Sequence, residues 1–134
     1  MIHYREGYKY QLVESYIHQL KTSIRPPVFL NAKLLRLDTS GELYVLAGYA
    51  WDGPSGPAFD TPSFMRASLV HDALYQLMRE RHLPLSWRDE ADEEMRLVCL
   101  EDGMWKLRAA WCYRAVRSFG GPAAKEPTPA LTAP

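Results

Sequence analysis

The residues from Gly48 to Pro62 divide the chain into two parts of different character. Repeated glycine and proline in this segment interrupt both helices and strands. Before it, aromatic and β-branched residues partly alternate with polar ones over short runs, which is typical of strands. After it, apolar residues recur every three or four positions, which is typical of helices. The sequence therefore predicts an α+β fold, with an N-terminal antiparallel β-sheet of three to four strands packed on a C-terminal bundle of about three helices.

The length of 134 residues fits one domain with a single core. We assign residues 1–120 to this domain and residues 121–134, rich in proline and alanine, to a flexible tail. Lys+Arg and Asp+Glu both number 16, so the formal charge is zero and a strongly basic nucleic-acid-binding face is not expected. The two cysteines, Cys99 and Cys112, fall in helical patterns and are expected to be buried free thiols.

The N-terminus has no apolar core of signal-peptide length, and no stretch approaches the roughly 18 apolar residues of a membrane span. We therefore expect neither a signal peptide nor a membrane span.

Within the first part, residues 8–20 are expected to form one or two short strands. A β-hairpin is expected over residues 33–46, with arms at 33–37 and 42–46. Its turn, residues 38–41, ends in Gly41, which can supply a positive φ.

The second part predicts three helices. The first begins after Thr61 and runs to about Glu80. The second begins at Ser86, with Asp89 completing a variant capping box, and ends before Gly103.

The third predicted helix spans residues 104–119. Its expected inner face is Leu107, Trp111, Ala115 and Val116. The basic residues of this helix are expected on a solvated outer face, with phosphate or lipid headgroups as the alternative partner; they are Lys106, Arg108, Arg114 and Arg117.

The first helix carries a histidine in its buried stripe. At 100° per residue, His71 lies at the centre of this stripe, with Ser68 and Tyr75 one turn to either side. Asp72 lies at the edge of the stripe. A histidine in such a position is most often a structural residue that is fully hydrogen-bonded.

The second helix carries a carboxylate, Asp92, that could contact His71. Asp92 shares helical spacing with Met95 and Cys99, and the short link 82–84 makes the two helices antiparallel neighbours, so contact between Asp92 and His71 is feasible. A carboxylate that accepts one imidazole N–H orients the ring and leaves the other nitrogen to take a proton from water. Tyr75 could hold Asp92 in place. The alternative is a buried His–Asp pair that only joins the helices.

The glycine-rich segment offers a second chemistry. Its backbone carbonyls could converge on a hard cation together with Asp72, the candidate carbonyls being those of Trp51, Asp52 and Gly53. Alternatively, the segment is a rigid bend whose aromatic residues Trp51 and Phe59 fill the core.

The ordered motifs resemble a family of small phage and prophage proteins of unknown function over roughly residues 28–120. They are Gly-Tyr-Ala-Trp-Asp-Gly-Pro-Ser-Gly-Pro at 48–57, Ser-Leu-Val-His-Asp-Ala-Leu-Tyr at 68–75, Ala-Asp at 91–92 and Ala-Val-Arg at 115–117. This resemblance implies a phage or prophage origin, location in the host cytoplasm or the virion, and other phage proteins as partners.

A weaker likeness is to the secretory phospholipases of the A-two superfamily. It rests on His71-Asp72 followed by Tyr75 and the returning Asp92, and it implies that His71 is the base, Asp92 its partner and Asp72 a calcium ligand. Here no cysteine neighbours the histidine, and the segment after Trp51 lacks those enzymes' cysteine-glycine pattern, so the implied calcium site has the least support.

Three classes of function remain. The first is a hydrolase that uses the His71–Asp92 dyad on an ester, a lipid or a cell-envelope substrate. The second is a non-catalytic phage virion, tail or assembly protein in which the pair is structural. The third is a two-histidine metal phosphohydrolase, which requires an upstream histidine, and only His3 and His18 precede the motif.

Overall fold

The computed structural model describes residues 2, 4–5, 10–51 and 62–119. Strands precede helices along this part of the chain, which confirms the α+β fold. The strands are β1 (Tyr4–Arg5), β2 (Tyr10–Leu12), β3 (Tyr16–Gln19), β4 (Leu30–Asn31), β5 (Leu35–Leu37), β6 (Glu42–Val45) and β7 (Ala50–Trp51). The helices are α1 (Pro62–Arg79), α2 (Arg88–Glu101) and α3 (Lys106–Phe119), with a 3₁₀ turn at Leu85–Trp87 before α2. Thr61, Phe59 and the tail assigned to 121–134 lie outside the described residues.

The strands form two antiparallel sheets. One has four strands in the order β3-β6-β5-β4, and the other has three in the order β1-β2-β7. The predicted hairpin is β5–β6, and its turn contains Gly41 at a φ of 88°. Asp38 Oδ1 accepts the backbone N–H groups of Ser40 and Glu42, which closes the turn. The alternating residues of this hairpin point into the core: Leu35, Leu37, Leu43 and Val45 are buried.

The three-stranded sheet holds the start of the glycine-rich segment. Strand β7 pairs with β2, which places Trp51 opposite Tyr10. Trp51 is buried, and its indole Nε1 donates to Ser68 Oγ on α1 over 3.0 Å. Trp51 therefore fills the core between this sheet and the first helix, as the bend interpretation predicts for that residue.

Helix α1 is the centre of the core. The stripe predicted from the sequence is buried, and other faces of the helix are buried as well, because α1 packs against both the sheet layer and α2. Helix α2 ends as predicted, since Gly103 has a φ of 95° and Met104 N–H bonds the Cys99 carbonyl. Its predicted start is wrong: Ser86 lies inside the 3₁₀ turn, and the N-cap is Trp87, which makes no side-chain cap bond.

The inner face predicted for α3 is wrong for its two largest residues. Leu107 is 86% exposed and Trp111 is 53% exposed. The buried positions are instead Ala109 and Cys112, with Val116 packed beside them against the Met95–Cys99 side of α2. Small residues allow the two helices to approach closely, so side-chain size and not hydrophobicity selects this face. No helix in the described ranges has the length and apolar character to cross a bilayer.

Both cysteines are buried free thiols, as predicted. Burial raises the pKa of the Cys99 thiol to about 12, so this sulfur stays protonated and unreactive at neutral pH.

Candidate active site

Helices α1 and α2 bring the predicted dyad into direct contact. His71 Nε2 lies 2.7 Å from Asp92 Oδ1, and Asp92 is fully buried. Tyr75 donates its hydroxyl to the same carboxylate oxygen. The Tyr75 ring also packs against the imidazole of His71, which lies one helical turn earlier in α1, and the two ring centroids are 4.1 Å apart. The structure thus joins the three residues that the helical spacing singled out.

The other carboxylate oxygen of Asp92 belongs to a cluster that sequence reasoning missed. Arg117 Nη1 donates to Asp92 Oδ2 over 2.9 Å and also pairs with Asp89 Oδ1 at 2.7 Å. Arg117 was expected on the outer face of α3, but it turns inward because Asp92 would otherwise be a buried carboxylate with an unpaired oxygen. Helical periodicity carries no signal for this, since a residue at the border of two faces can turn either way.

Arg88 ties the same cluster to the end of α3. Its Nε donates to the Tyr75 hydroxyl over 3.1 Å and lies 3.9 Å from Asp92 Oδ2. Its Nη2 donates to the backbone carbonyls of Val116 and Arg117, which lie in the last turn of α3 and lack helical partners. The dyad is therefore held by residues from three helices.

The charges of the dyad support each other. Burial alone would lower the pKa of His71, but the carboxylates of Asp72 and Asp92 outweigh it and the net pKa is raised. Burial alone would raise the pKa of Asp92, but hydrogen bonds from His71, Tyr75 and Arg117 outweigh it and the net pKa is lowered. Burial and the nearby Asp92 carboxylate raise the pKa of Tyr75, so its hydroxyl remains a donor. Asp92 is consequently an anion and an acceptor, and Tyr75 supports it without acting as a base.

The second imidazole nitrogen of His71 is placed differently. Nδ1 lies 3.9 Å from Asp72 Oδ1, which is beyond hydrogen-bond distance. The Asp72 side chain is 34% exposed, whereas the His71 side chain is only 9% exposed.

A second buried histidine–carboxylate pair lies on the opposite side of α2, and sequence reasoning missed it. His18 Nε2 lies 2.8 Å from Glu94 Oε2, and Glu94 also accepts the backbone N–H groups of Lys21 and Thr22. Burial alone would raise the pKa of Glu94, but the hydrogen bonds from His18 and from the two backbone N–H groups outweigh burial, and the net pKa is lowered. His18 Nδ1 lies 3.1 Å from the Tyr16 hydroxyl, so both of its nitrogens have partners. This pair joins the four-stranded sheet to α2.

The position of His18 bears on the two-histidine interpretation. His18 pairs with Glu94 and does not join His71, and His3 lies outside the described residues. Over the described ranges, no group of three or more histidine, cysteine, aspartate or glutamate side chains is placed to hold a metal ion.

The proposed calcium ligands can be followed only in part. Asp52 and Gly53 lie outside the described residues. Trp51 is buried and bonds Ser68, one helical turn before Asp72. Calcium takes six to eight oxygen ligands, and Asp72 supplies two at most. The described residues therefore do not form a calcium site by themselves.

Comparisons of the chain with protein-family models, with curated proteins and with solved structures find no significant match. The resemblances to a phage protein family and to phospholipases therefore stay predictions.

Proposed function

We propose that this protein is a hydrolase in which the His71–Asp92 dyad activates a water molecule. The observation that supports this most is the contrast between its two buried histidines. His18 has a hydrogen-bond partner at each nitrogen, as a structural histidine should. His71 is bonded at Nε2, while the described residues leave its Nδ1 without a partner within hydrogen-bond distance. A general base needs such a nitrogen beside a place for water.

The reaction begins with neutral His71, whose Nε2–H donates to Asp92. A water molecule hydrogen-bonded to Nδ1 gives a proton to that nitrogen while its oxygen attacks the carbonyl carbon of an ester. The resulting imidazolium is stabilised by the Asp92 anion, which Arg117 and Tyr75 hold in place. The proton on Nδ1 then passes to the leaving alkoxide as the ester C–O bond breaks. The products are a carboxylic acid and an alcohol, and His71 is neutral again.

The proposed substrate class rests on the likeness of His71, Asp72, Tyr75 and Asp92 to the phospholipase motif. We propose an ester, and a lipid ester or an ester of the cell envelope as its source. The motifs at 48–57 and 68–75 favour a phage or prophage origin, and a phage hydrolase of this kind would act on host material.

Calcium is a separate proposal, and no step above depends on it. Asp72 and the carbonyls at 51–53 would hold the cation beside the water. Its chemistry there would be to stabilise the negative charge on the ester oxygen during attack.

The hydrolase proposal is tested with a panel of p-nitrophenyl esters and phospholipids, assayed for release of product. We expect Asp92→Asn to reduce the rate by about 100-fold or more, because an uncharged partner no longer stabilises the imidazolium. Glu94→Gln is the matched control, since it alters a buried histidine–carboxylate pair outside the dyad. Both variants are assayed at a temperature at which circular dichroism finds them folded. Equal loss in the two variants, or no product with the wild type, would refute the proposal.

The second candidate is a non-catalytic phage virion, tail or assembly protein. One observation favours it: both oxygens of Asp92 accept hydrogen bonds, from two residues of α1 and one of α3, as those of a structural carboxylate would. A ring or filament of the purified chain, seen by electron microscopy and unaffected by His71→Asn, would support this candidate over the hydrolase.

A further inference from the structure

Helix α3 and Trp105, the residue just before it, present large apolar side chains away from the core. Trp105 is 83% exposed, Leu107 is 86% exposed and Trp111 is 53% exposed. Basic residues lie among them, with Lys106 and Arg114 exposed and Arg108 half-buried. We call these six residues the α3 outer face: Trp105, Lys106, Leu107, Arg108, Trp111 and Arg114.

Three residues of the outer face lie opposite the face that packs on α2. Leu107, Trp111 and Arg114 fall within about 60° of one another on the helix, and Ala109 and Cys112 lie on the far side. The buried apolar residues of this helix are small and the largest apolar ones are exposed, whereas a helix usually turns its large apolar residues toward the core. Burial in the monomer therefore does not account for two tryptophans and a leucine at these positions.

The charged residues of α3 are all basic. Residues 104–119 contain four basic residues and no acidic residue, in a chain whose formal charge is zero. Arg117 turns toward Asp92. The other three basic residues, Lys106, Arg108 and Arg114, lie in the outer face. The nearest acidic side chains before α3, Glu101 and Asp102, are both paired with Arg66.

We infer that the α3 outer face docks the protein on an anionic lipid surface. Tryptophan favours the headgroup level of a bilayer, an exposed leucine can enter the acyl boundary, and lysine and arginine attract anionic headgroups. A second copy of the chain is a poorer occupant, because a symmetric contact would place three cations against three cations. A nucleic acid would use the tryptophans for stacking, but it offers nothing to Leu107.

This docking is independent of the proposed hydrolase. None of the six residues contributes a side chain to the dyad or to its hydrogen bonds. His71→Asn should therefore bind lipid as the wild type does, so the failure of one proposal is distinguishable from the failure of the other.

The test is co-sedimentation of the full chain with vesicles of phosphatidylcholine alone and of an equal mixture of phosphatidylcholine and phosphatidylglycerol. We expect the wild type to sediment with the mixed vesicles and to stay in solution with phosphatidylcholine. Two variants should each bind the mixed vesicles at least about tenfold more weakly: L107S/W111S, which removes apolar contacts, and K106E/R114E, which reverses charge. The matched control is I17S/F29S, which alters two exposed apolar residues outside the helices and should bind as the wild type does.

Several results would overturn the inference. One is a wild type that binds neither vesicle, and another is an L107S/W111S variant that binds normally. A control variant that loses binding equally would place the contact elsewhere. A dimer in light scattering that L107S/W111S dissociates would make a second copy the occupant, and binding of single-stranded DNA lost in the same variant would make nucleic acid the partner. Urea unfolding of each variant checks that these exposed substitutions leave the fold intact.

Discussion

His71 Nε2 and Asp92 Oδ1 lie 2.7 Å apart, although 21 positions separate the two residues along the chain. The bond joins α1 to α2 inside the core, where a charge-assisted hydrogen bond is less weakened by solvent than at the surface. The same carboxylate receives Arg117 from α3. Any change to this carboxylate should therefore affect the packing of three helices as well as the ionisation of His71.

Replacing Arg117 with methionine should destabilise the protein by about 1–3 kcal/mol, because Asp92 Oδ2 loses its closest donor in a buried site. Urea unfolding measures the change. The control is Asp89→Asn, which alters the exposed partner of the same arginine and should cost less than about 0.5 kcal/mol. If both variants change stability equally, the Arg117–Asp92 bond stabilises the protein no more than the exposed Arg117–Asp89 pair does.

Glu94→Gln should cost about 3 kcal/mol or more, because the fully buried carboxylate serves His18 and two backbone N–H groups. Glu93→Gln is the matched control, since Glu93 is one residue earlier, is partly exposed and pairs with Arg96. That change should stay within about 0.5 kcal/mol. Thermal unfolding of the two variants measures the difference. A Glu94→Gln variant as stable as the wild type would show that the His18–Glu94 pair contributes little to stability.

The pH dependence of stability follows from the shifted groups. Asp92 and Glu94 have pKa values below their ordinary values of 3.8 and 4.5, and hydrogen bonds from Lys21 and Arg66 lower the pKa of Glu101 to about 2. Their contribution is present above the ordinary values and is lost as pH falls through the folded pKa values. The free energy of unfolding should thus decrease as pH falls below about 4.5. The part contributed by Glu101 is lost as pH falls to about 2.

Above about pH 6.5 the free energy of unfolding should decrease as pH rises, because of His71. The pKa of His71 is raised above its ordinary value of 6.5, so its contribution is full below pH 6.5 and is lost as pH rises through the folded pKa. Urea unfolding across pH should therefore find the highest stability between about pH 4.5 and 6.5. His71→Asn should flatten the alkaline decrease. An unchanged alkaline limb in that variant would contradict the assigned shift.

Calcium binding at Asp72 predicts a rise in melting temperature when calcium is added, because a ligand that binds only the folded state stabilises it. The rise should disappear in Asp72→Asn and remain in Glu80→Gln, which removes another exposed carboxylate just after α1. Differential scanning fluorimetry with and without calcium measures both. No shift in the wild type would remove calcium from the mechanism and leave the dyad chemistry unaffected.

The sequence predicts the fold class and the dyad for the same reason. Both depend on local periodicity and on a short link, which together determine which faces of α1 and α2 meet. The hairpin turn at Gly41 is predictable as well, because its positive φ is a local requirement.

Other features depend on tertiary contacts that periodicity does not encode. Glu94 lies in an acidic run that is typical of a solvated face, yet α2 packs on two sides and buries both Asp92 and Glu94. The apolar residues Leu107 and Trp111 favour the wrong face of α3, because close helix packing selects small residues there. The division of the strands into two sheets depends on the pairing of β7 with β2 across the chain, which no local signal predicts.

The role of His71 as a base is tested by the rate of ester hydrolysis by the wild type and by His71→Asn, followed from pH 5 to pH 9, with urea unfolding of both proteins alongside. We expect the wild-type rate to rise with pH as His71 loses its proton, over the range in which stability decreases. We expect a rate at least about 100-fold lower in His71→Asn while that protein remains folded. Equal rates in the two proteins, or no hydrolysis by the wild type at any pH, would contradict this role.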